Sequence, residues 1–376
     1  MDKIIFYINP QSMSNLAEYD YFVTFGIKYR IIYLCSKFYD YHVNPKLKYI
    51  PVFKYNHKKS KLSKAISYII SLLHIALLIM IYRPNLVHIQ WFKLPTLDYK
   101  YWMCIKKIFH IKIIHTAHNI LPHNTGKTYQ YIYGKIYKKL SDKIIVHTAN
   151  TKLEICNLFQ IEDNKVAVIK HGLLCFKYDE GIYKKLCQES NLSKKIENKI
   201  VFTSLGEQSM YKGSDLILDV WLKTPELNQS NKCFLVIAGK FYKIDESEIK
   251  KCKNVYIKNE RISNEEYIYW VKHSSAYLLP YKTISQSGAL LTMLSAHLPV
   301  IASNVGGISE PMTIADIGWN IGKANFLNLQ KTLLHILHTP EEILRKKKND
   351  SGWNKIEKFY DWNEISKQTE MLYYQM

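Results

Sequence analysis

Lys212 stands in "TSLGEQSMYKGSDLILDVW", Thr203 to Trp221, where an apolar run ends at Leu205 and Gly206 opens a turn. Ser214 and Asp215 then begin a helical pattern. A lysine beside the free amides of a helix start is a fitting partner for phosphate. Taken alone, the segment reads equally well as an ordinary strand-to-helix loop that happens to hold a lysine. "QSGALLTMLSAHLPVIASNVGGISEP", Gln286 to Pro311, has a related layout without a lysine. Its helix begins at about Ser287 with a hydroxyl and Gly288, so its first amides are open to a diphosphate. A short buried strand follows at Pro299 to Ala302, then a second backbone turn at Gly306-Gly307 and a carboxylate at Glu310. "LVIAGK", Leu235 to Lys240, ends a strand in Ala-Gly, which lets a ligand approach the backbone. In "NVYIKNERISNEEYIYW" a strand leads to Glu260-Arg261-Ile262, and Ser263 with Glu266 three residues on forms a capping box.

The first half of the chain offers histidines instead. "IIHTAHNILPHN", Ile113 to Asn124, ends a strand in a His-rich loop, the place where catalytic groups gather in open α/β sheets. Three histidines invite a zinc reading. His115 and His118, however, stand three apart across a strand-to-loop junction, and no acidic or Cys ligand joins them, so no metal is expected. His118 is the stronger candidate for touching a substrate. His171-Gly172, after another strand, gives a similar signal.

These residues need a scaffold that brings strand ends together. Apolar β-branched runs recur at 3–8, 30–34, 86–90, 111–115, 143–147 and 165–169. They recur again at 199–204, 233–238, 253–257, 275–279 and 299–302, with helical stretches between most of them. Strands alternating with helices predict parallel sheets in an α/β fold, with helices on both faces. The rhythm breaks between His171 and Lys199. The expected division is therefore an N-terminal Rossmann-like domain at 1–175, a second at 176–355, and a last helical segment, 356–376, packing back toward the first. Two doubly wound domains facing a central cleft would place both sets of strand ends along it.

Composition narrows the function. The chain has 376 residues and a net charge of +20. Residues 1–180 hold 26 Lys and Arg against 11 Asp and Glu, whereas residues 181–376 hold 26 against 21. The first half thus has the field that attracts polyanions, either nucleic acid or an anionic membrane surface. No RNP1-like run is present, and nucleic acid is not expected as a partner. Seven cysteines lie scattered without a C-x-x-C pair, and the N-terminus lacks signal-peptide features, which together point to a reduced, cytoplasmic setting. "AISYIISLLHIALLIMIY", Ala65 to Tyr82, is long enough to reach the lower edge of a membrane span. With His74, Ser67 and Ser71 inside it and a strand-like run close behind, it reads first as a packed helix. A helix that also touches lipid is the next reading.

Taken together, the motifs resemble the GT-B glycosyltransferases of group 1, family 4-like, of bacterial surface polysaccharide synthesis. "HTAHNILPHN" is similar to that group's H-N-x-x-P-H loop, "LVHIQWF" to its V-H-x-x-W strand and "VIKHG" to its I-x-H-G segment. "GEQSMYKG" resembles G-x-I-R-x-Y-K-G. "QSGALLTMLSAHLPVIASNVGGISE" resembles the stretch that ends in P-V-I-A-S-x-x-G-G-x-x-E. The resemblance covers nearly the whole chain. It implies metal-independent transfer, without a cofactor, of a sugar from a UDP- or GDP-linked donor. The implied acceptor is a glycan carried on a lipid at the inner face of the plasma membrane, in capsule, exopolysaccharide or lipopolysaccharide synthesis, with retention of configuration. Lys212 would neutralise the diphosphate and His118 would face the transferred sugar. Gly206, Ser209, Gly239, Lys240, Arg261, Ile262, Gln286, Ser287, Gly288, Thr292 and Glu310 would hold the donor. Asn9, His88, Asn119, His123 and His171 would line the acceptor side. Three positions depart from the pattern. Ser209 stands where the family has Arg, and Ile284 and Thr292 stand where it has an E-x7-E pair. These losses are what a non-catalytic, transferase-like partner subunit would also show.

Overall fold

The computed structural model describes residues 3–10, 29–37, 47–54, 60–121, 126–175, 178–189 and 192–376. The chain forms two compact units. The first is Met1–Gly172 with Trp362–Met376, and the second is Leu173–Asp361. The chain thus leaves the first unit after Gly172 and returns at Trp362, against expected limits of 175 and 355.

The first unit holds a seven-stranded sheet made of β1 (Lys3–Ile8), β2 (Tyr29–Ser36), β3 (Lys48–Phe53), β4 (Leu86–Ile89), β5 (Lys112–Thr116), β6 (Lys143–Val146) and β7 (Val166–Val168). All neighbours pair in parallel, in the order β3-β2-β1-β4-β5-β6-β7. Successive residues feed opposite faces, as the strand period requires. Phe6 and Ile8 of β1 join one core, whereas Ile5 and Tyr7 join the other. Helices α1 (Lys61–Tyr82) and α2 (Pro95–Phe109) cover the first face. The second is covered by the helix Trp362–Tyr374, whose Ile365, Leu372 and Tyr373 pack with Ile5, Tyr7 and Ile31.

The second unit has a six-stranded parallel sheet in the order β12-β10-β8-β13-β14-β15. Its strands are β8 (Ile200–Leu205), β10 (Cys233–Ala238), β12 (Val255–Lys258), β13 (Ala276–Leu279), β14 (Val300–Ser303) and β15 (Gly318–Gly322). A two-residue pair, β9 (Gln208–Ser209) with β11 (Phe241–Tyr242), ties two loops together at the carboxyl end of the sheet. Helix α3 (Ser214–Lys223) follows Lys212, α4 (Asn264–His273) follows Arg261, and α5 (Gly288–Ser295) follows Ser287. The final helix, Trp362–Tyr374, is α6. Ser263 caps α4 by accepting from the amide of Glu266 at 3.1 Å. The expected return arm of a capping box is replaced, because the Glu266 carboxylate takes the Tyr256 hydroxyl at 2.9 Å and the Lys258 ammonium at 2.7 Å.

Strands β3, β9, β11 and β15 are not among those the sequence predicts. β3 and β15 are edge strands. β3 contains Pro51, which only an edge tolerates, and β15 has one fully buried residue, Ile321, between two glycines.

Candidate active site

In the second unit the strand order reverses between β8 and β13, the switch point where open α/β sheets bind ligands. Nearly all the donor-side candidates lie in the loops that leave the carboxyl ends of β8, β10, β12, β13 and β14. Gly206 and Gly239 bring two of these loops into backbone contact. Gly239 has φ +136, and a Cβ there would meet the Gly206 carbonyl oxygen at 1.7 Å. Gln208 knits the same region: its Oε1 accepts from Ser214 Oγ at 2.8 Å and its Nε2 donates to the Ser204 carbonyl at 3.2 Å. The Ser209 amide donates to Ser214 Oγ at 3.1 Å, and the residue is buried within the loop.

Lys212 sits at the edge of this frame, half-buried, with its ammonium 5.9 Å from the centre of the Tyr211 ring. Burial lowers its pKa, and the charge of Glu207 acts in the opposite sense. Among the described residues it has no ion-pair partner. The neighbouring Lys282, by contrast, is neutralised by Asp215 at 2.6 Å. The Lys212 loop is held against the end of β13. The Lys282 amide donates to the Tyr211 carbonyl at 2.8 Å, and a Cβ on Gly213 would meet the Pro280 carbonyl oxygen at 2.1 Å.

α5 starts beside this loop. Ser287 is its cap, accepting from the Leu290 amide at 3.2 Å and donating to the Tyr281 hydroxyl at 3.4 Å. Its hydroxyl is therefore committed inward, and what the helix end offers a ligand is its first amides. Gly288 is exposed and Gln286 half-buried. Thr292 does not reach outward: it is buried and its hydroxyl donates to the Gly288 carbonyl at 3.0 Å. Glu310 is half-buried and hydrogen-bonded by the Tyr360 hydroxyl. Lys240 and Arg261 are exposed, and Ile262 is half-buried. Arg261 follows β12, two strands from β8, or roughly 10 Å at ordinary strand spacing. It is thus set apart from the Lys212 loop, toward the sheet edge that β12 forms.

The first unit gathers its candidates in one pocket at the carboxyl ends of β1, β4, β5, β6 and β7. Asn9, Gln90, His118, His147 and His171 line it, with the indoles of Trp91 and Trp362. The His118 ring stacks on Trp91 with centroids 4.5 Å apart and planes 7° from parallel. His88 lies behind the pocket, buried, bonding Tyr373 and Thr116 at 2.6 and 2.7 Å. Asn119 is half-buried and does not line the pocket, and His123 falls outside the described residues. Gln90, Trp91, His147 and Trp362 are site residues that the sequence reading misses. For His147 a signal exists, since histidines follow the ends of β5, β6 and β7 alike.

The hydrogen bonds fix the proton positions. His147 Nδ1 lies 2.9 Å from the Ile169 carbonyl, which can only accept, so Nδ1 carries the proton. Burial holds the His147 pKa down at about 3, so the ring is neutral and Nε2 is a lone pair. The atom facing it at 3.2 Å, His118 Nδ1, must donate. His118 is likewise kept neutral by burial and then by its His neighbours, which leaves a lone pair on Nε2. Gln90 Oε1 is placed 2.9 Å from that nitrogen, setting two acceptors face to face. Rotating the amide by 180° resolves this, with the NH2 donating to His118 and the oxygen facing His88 and Thr116. His88 then donates from Nε2 and accepts at Nδ1 from the Tyr373 hydroxyl. His118 thus has an acceptor at Nε2 that the Gln90 amide occupies, and a sugar hydroxyl would bond it by displacing that amide. Among the described residues no group of three or more His, Cys, Asp or Glu is placed to hold a metal.

Burial also makes this network acid-sensitive. His88, His115 and His147 are each held at about 3, below the ordinary 6.5, chiefly by desolvation. Between those values the unfolded chain binds more protons than the folded one. Stability is therefore fully present above about pH 6.5 and falls as pH drops toward 3. Each such group removes up to about 1.4 kcal/mol per pH unit. Thermal melts at pH 7.5 and 5.5 are expected to show a clear loss of Tm, and an unchanged Tm would refute the buried neutral state.

A model of glycosyltransferase family 4 matches residues 26–173, and a model of the group 1 glycosyl transferases matches residues 197–338. Between them they span most of the chain. No curated protein matches the sequence. Solved structures do match it. Sucrose-phosphate synthase from Thermosynechococcus elongatus aligns with a TM-score of 0.74 at 13% identity, over 99% of this chain and 98% of that one. Anabaena HepE in complex with UDP-glucose gives 0.67 at 11%, over 99% and 100%. WaaG, a glycosyltransferase involved in lipopolysaccharide biosynthesis, gives 0.62 at 13%, over 98% and 99%. Such identities carry the fold, and the family matches carry the rest: the chain is a glycosyltransferase of the GT-B fold, belonging to the family-4-like group 1 enzymes.

Proposed function

We propose that the protein moves a sugar from a UDP- or GDP-linked donor to a glycan acceptor on a lipid carrier, in capsule, exopolysaccharide or lipopolysaccharide assembly, with retention of configuration. The observation that carries the donor reading is Lys212: a half-buried ammonium, without an ion-pair partner among the described residues, in a loop bonded to the segment that leads into α5. When the bond between the anomeric carbon and the diphosphate breaks, negative charge collects on the leaving phosphate. A fixed positive group and oriented amides stabilise it there. Lys240, Arg261 and Ile262 sit where they can meet the base and ribose. Anabaena HepE, which shares the fold, has been solved with UDP and with UDP-glucose, in support of a nucleotide-sugar donor.

The pocket of the first unit takes sugar hydroxyls. None of its described lining residues is acidic, so it offers no carboxylate base. A retaining transfer in which the departing phosphate oxygen accepts the proton of the acceptor hydroxyl needs none. On this reading charge on the donor is met by Lys212 and amides, with no metal required. The basic first half suits a peripheral protein at the cytoplasmic face of the plasma membrane.

His118 works as an acceptor only while His147 holds its Nδ1 proton. His147→Leu is expected to lower kcat about tenfold and to alter the pH profile, by analogy with other groups that orient a working histidine. His147→Gln, whose side chain can still accept, recovers part of the loss. Equal activity in all three proteins would sink the positioning role.

The test of the whole reading is a panel of nucleotide sugars with lipid-linked acceptors, read by mass detection of product and by calorimetric titration of the donor. A protein that binds no nucleotide sugar would be a transferase-like partner subunit instead.

A further inference from the structure

α1 is apolar on both sides. Tyr68, Leu72, Ile75 and Ile79 point inward and are buried. The helix is fastened there by three bonds. Ser71 donates to the Val52 carbonyl at 2.8 Å, Tyr68 donates to Asp98 at 2.8 Å, and Tyr101 donates to the Leu72 carbonyl at 2.7 Å. It is therefore a structural helix of the first unit, with no room for lipid on its inner face. Yet Leu62, Ile66, Ile70, Leu73, Leu77 and Ile81 are between 50% and 72% exposed. Their spacing of four, four, three, four and four residues draws one stripe along the helix. At 1.5 Å per residue, the run from Leu62 to Ile81 makes that stripe about 30 Å long. A surface helix of a water-soluble domain would carry polar residues on this side, and a continuous apolar stripe marks an interaction surface.

The charge around the stripe chooses the occupant. From Tyr41 to Leu97 the sequence has no Asp or Glu and nine Lys or Arg. Lys64 is on α1 itself, Arg83 ends it and Lys54 closes β3. A protein interface would be expected to mix both signs. An apolar stripe in a stretch of chain that is basic and without acidic residues matches an anionic lipid surface, with the stripe among acyl chains and the cations at the headgroups.

We propose that α1 is a lipid-docking helix that lies in the plane of an anionic bilayer with its outer stripe inserted into the upper acyl region. The inference goes beyond the sugar-transfer reading and does not depend on it, because its test needs no substrate. The full-length protein is floated with vesicles of phosphatidylcholine alone or with about 30 mol% phosphatidylglycerol, a fraction chosen as typical of anionic membranes. The protein is expected to rise with the anionic vesicles and to be retained in part at high salt, since insertion is not screened. Leu73→Glu/Leu77→Glu is expected to lower vesicle binding at least tenfold while far-UV circular dichroism and Tm stay those of the parent. A second variant guards against misfolding. Leu77→Trp keeps an apolar side chain, and its added fluorescence should be quenched by lipids brominated near the top of the acyl chain. Failure of the parent to bind anionic vesicles overturns the proposal, as does vesicle binding by the Leu77→Trp variant with its added fluorescence unquenched. A dimer in light scattering that the double variant turns into a monomer, with vesicle binding unchanged, would give the stripe to a second copy instead.

Discussion

Lys212→Ala is expected to lower kcat by about a hundredfold, in line with the loss of one preorganised charge-stabilising group. KM should change less, because the charge that Lys212 meets is larger in the transition state than in the ground state. The size of the effect follows from its surroundings. Lys282 has Asp215, whereas Lys212 has no ion-pair partner among the described residues and stays partly desolvated. Burial lowers its pKa, and a bound diphosphate would raise it again, so the interaction is made in a setting where water screens it poorly. Lys212→Arg keeps the charge but changes its shape and is expected to recover part of the rate. Steady-state kinetics on the three proteins decide the matter, and near-normal turnover of the alanine variant would remove Lys212 from its role.

The second large effect is structural. Gly239→Ala places a methyl group 1.7 Å from the Gly206 carbonyl oxygen and forces a side chain onto φ +136. Backbone in that region costs an L-residue about 1–3 kcal/mol, and the overlap adds to it. A total of about 3 kcal/mol would lower the Tm of the second unit by roughly 6–12 °C. Because the two glycine turns frame the Lys212 loop, nucleotide affinity should fall as well. Gly288→Ala is the control. Its Cβ would stand 3.4 Å from Leu174 Cδ1, a tight contact with a movable side chain, and its φ is ordinary. The control should melt close to the parent, and a similar loss in both variants would show that the Gly206–Gly239 contact is not the cause.

The central strands were legible because both of their faces are covered. β8, β10 and β13 are continuous apolar runs bounded by polar or glycine turns, and their limits in the structure lie within one residue of those read from sequence. The edges were not. β3 carries Pro51 and β15 is bracketed by glycines, so neither shows the burial pattern that announces a strand. In the candidate site, motifs pointed to Lys212, Ser287 and His118 as residues at strand ends and helix starts, since glycine turns and strand ends can be read locally. Hydrogen bonds already spent inside the fold could not be read that way. Thr292 spends its hydroxyl on Gly288, and His88 sits behind the pocket because Tyr373, 285 residues away in sequence, supplies its partner. Such pairings depend on which elements become neighbours, and no local spacing encodes them.

That distant partner has a consequence for how the chain is made. α6 is synthesised after the whole of the second unit, yet it covers one face of the first unit's sheet and donates the hydroxyl that His88 accepts. While the second unit is leaving the ribosome, the first has its seven strands but lacks the packing of Ile365, Leu372 and Tyr373 on Ile5, Tyr7 and Ile31. A helix translated after the whole second unit is therefore the one that completes the first-made unit, and a nascent chain halted before Trp362 would have a histidine pocket without the Trp362 indole and a His88 without the Tyr373 hydroxyl.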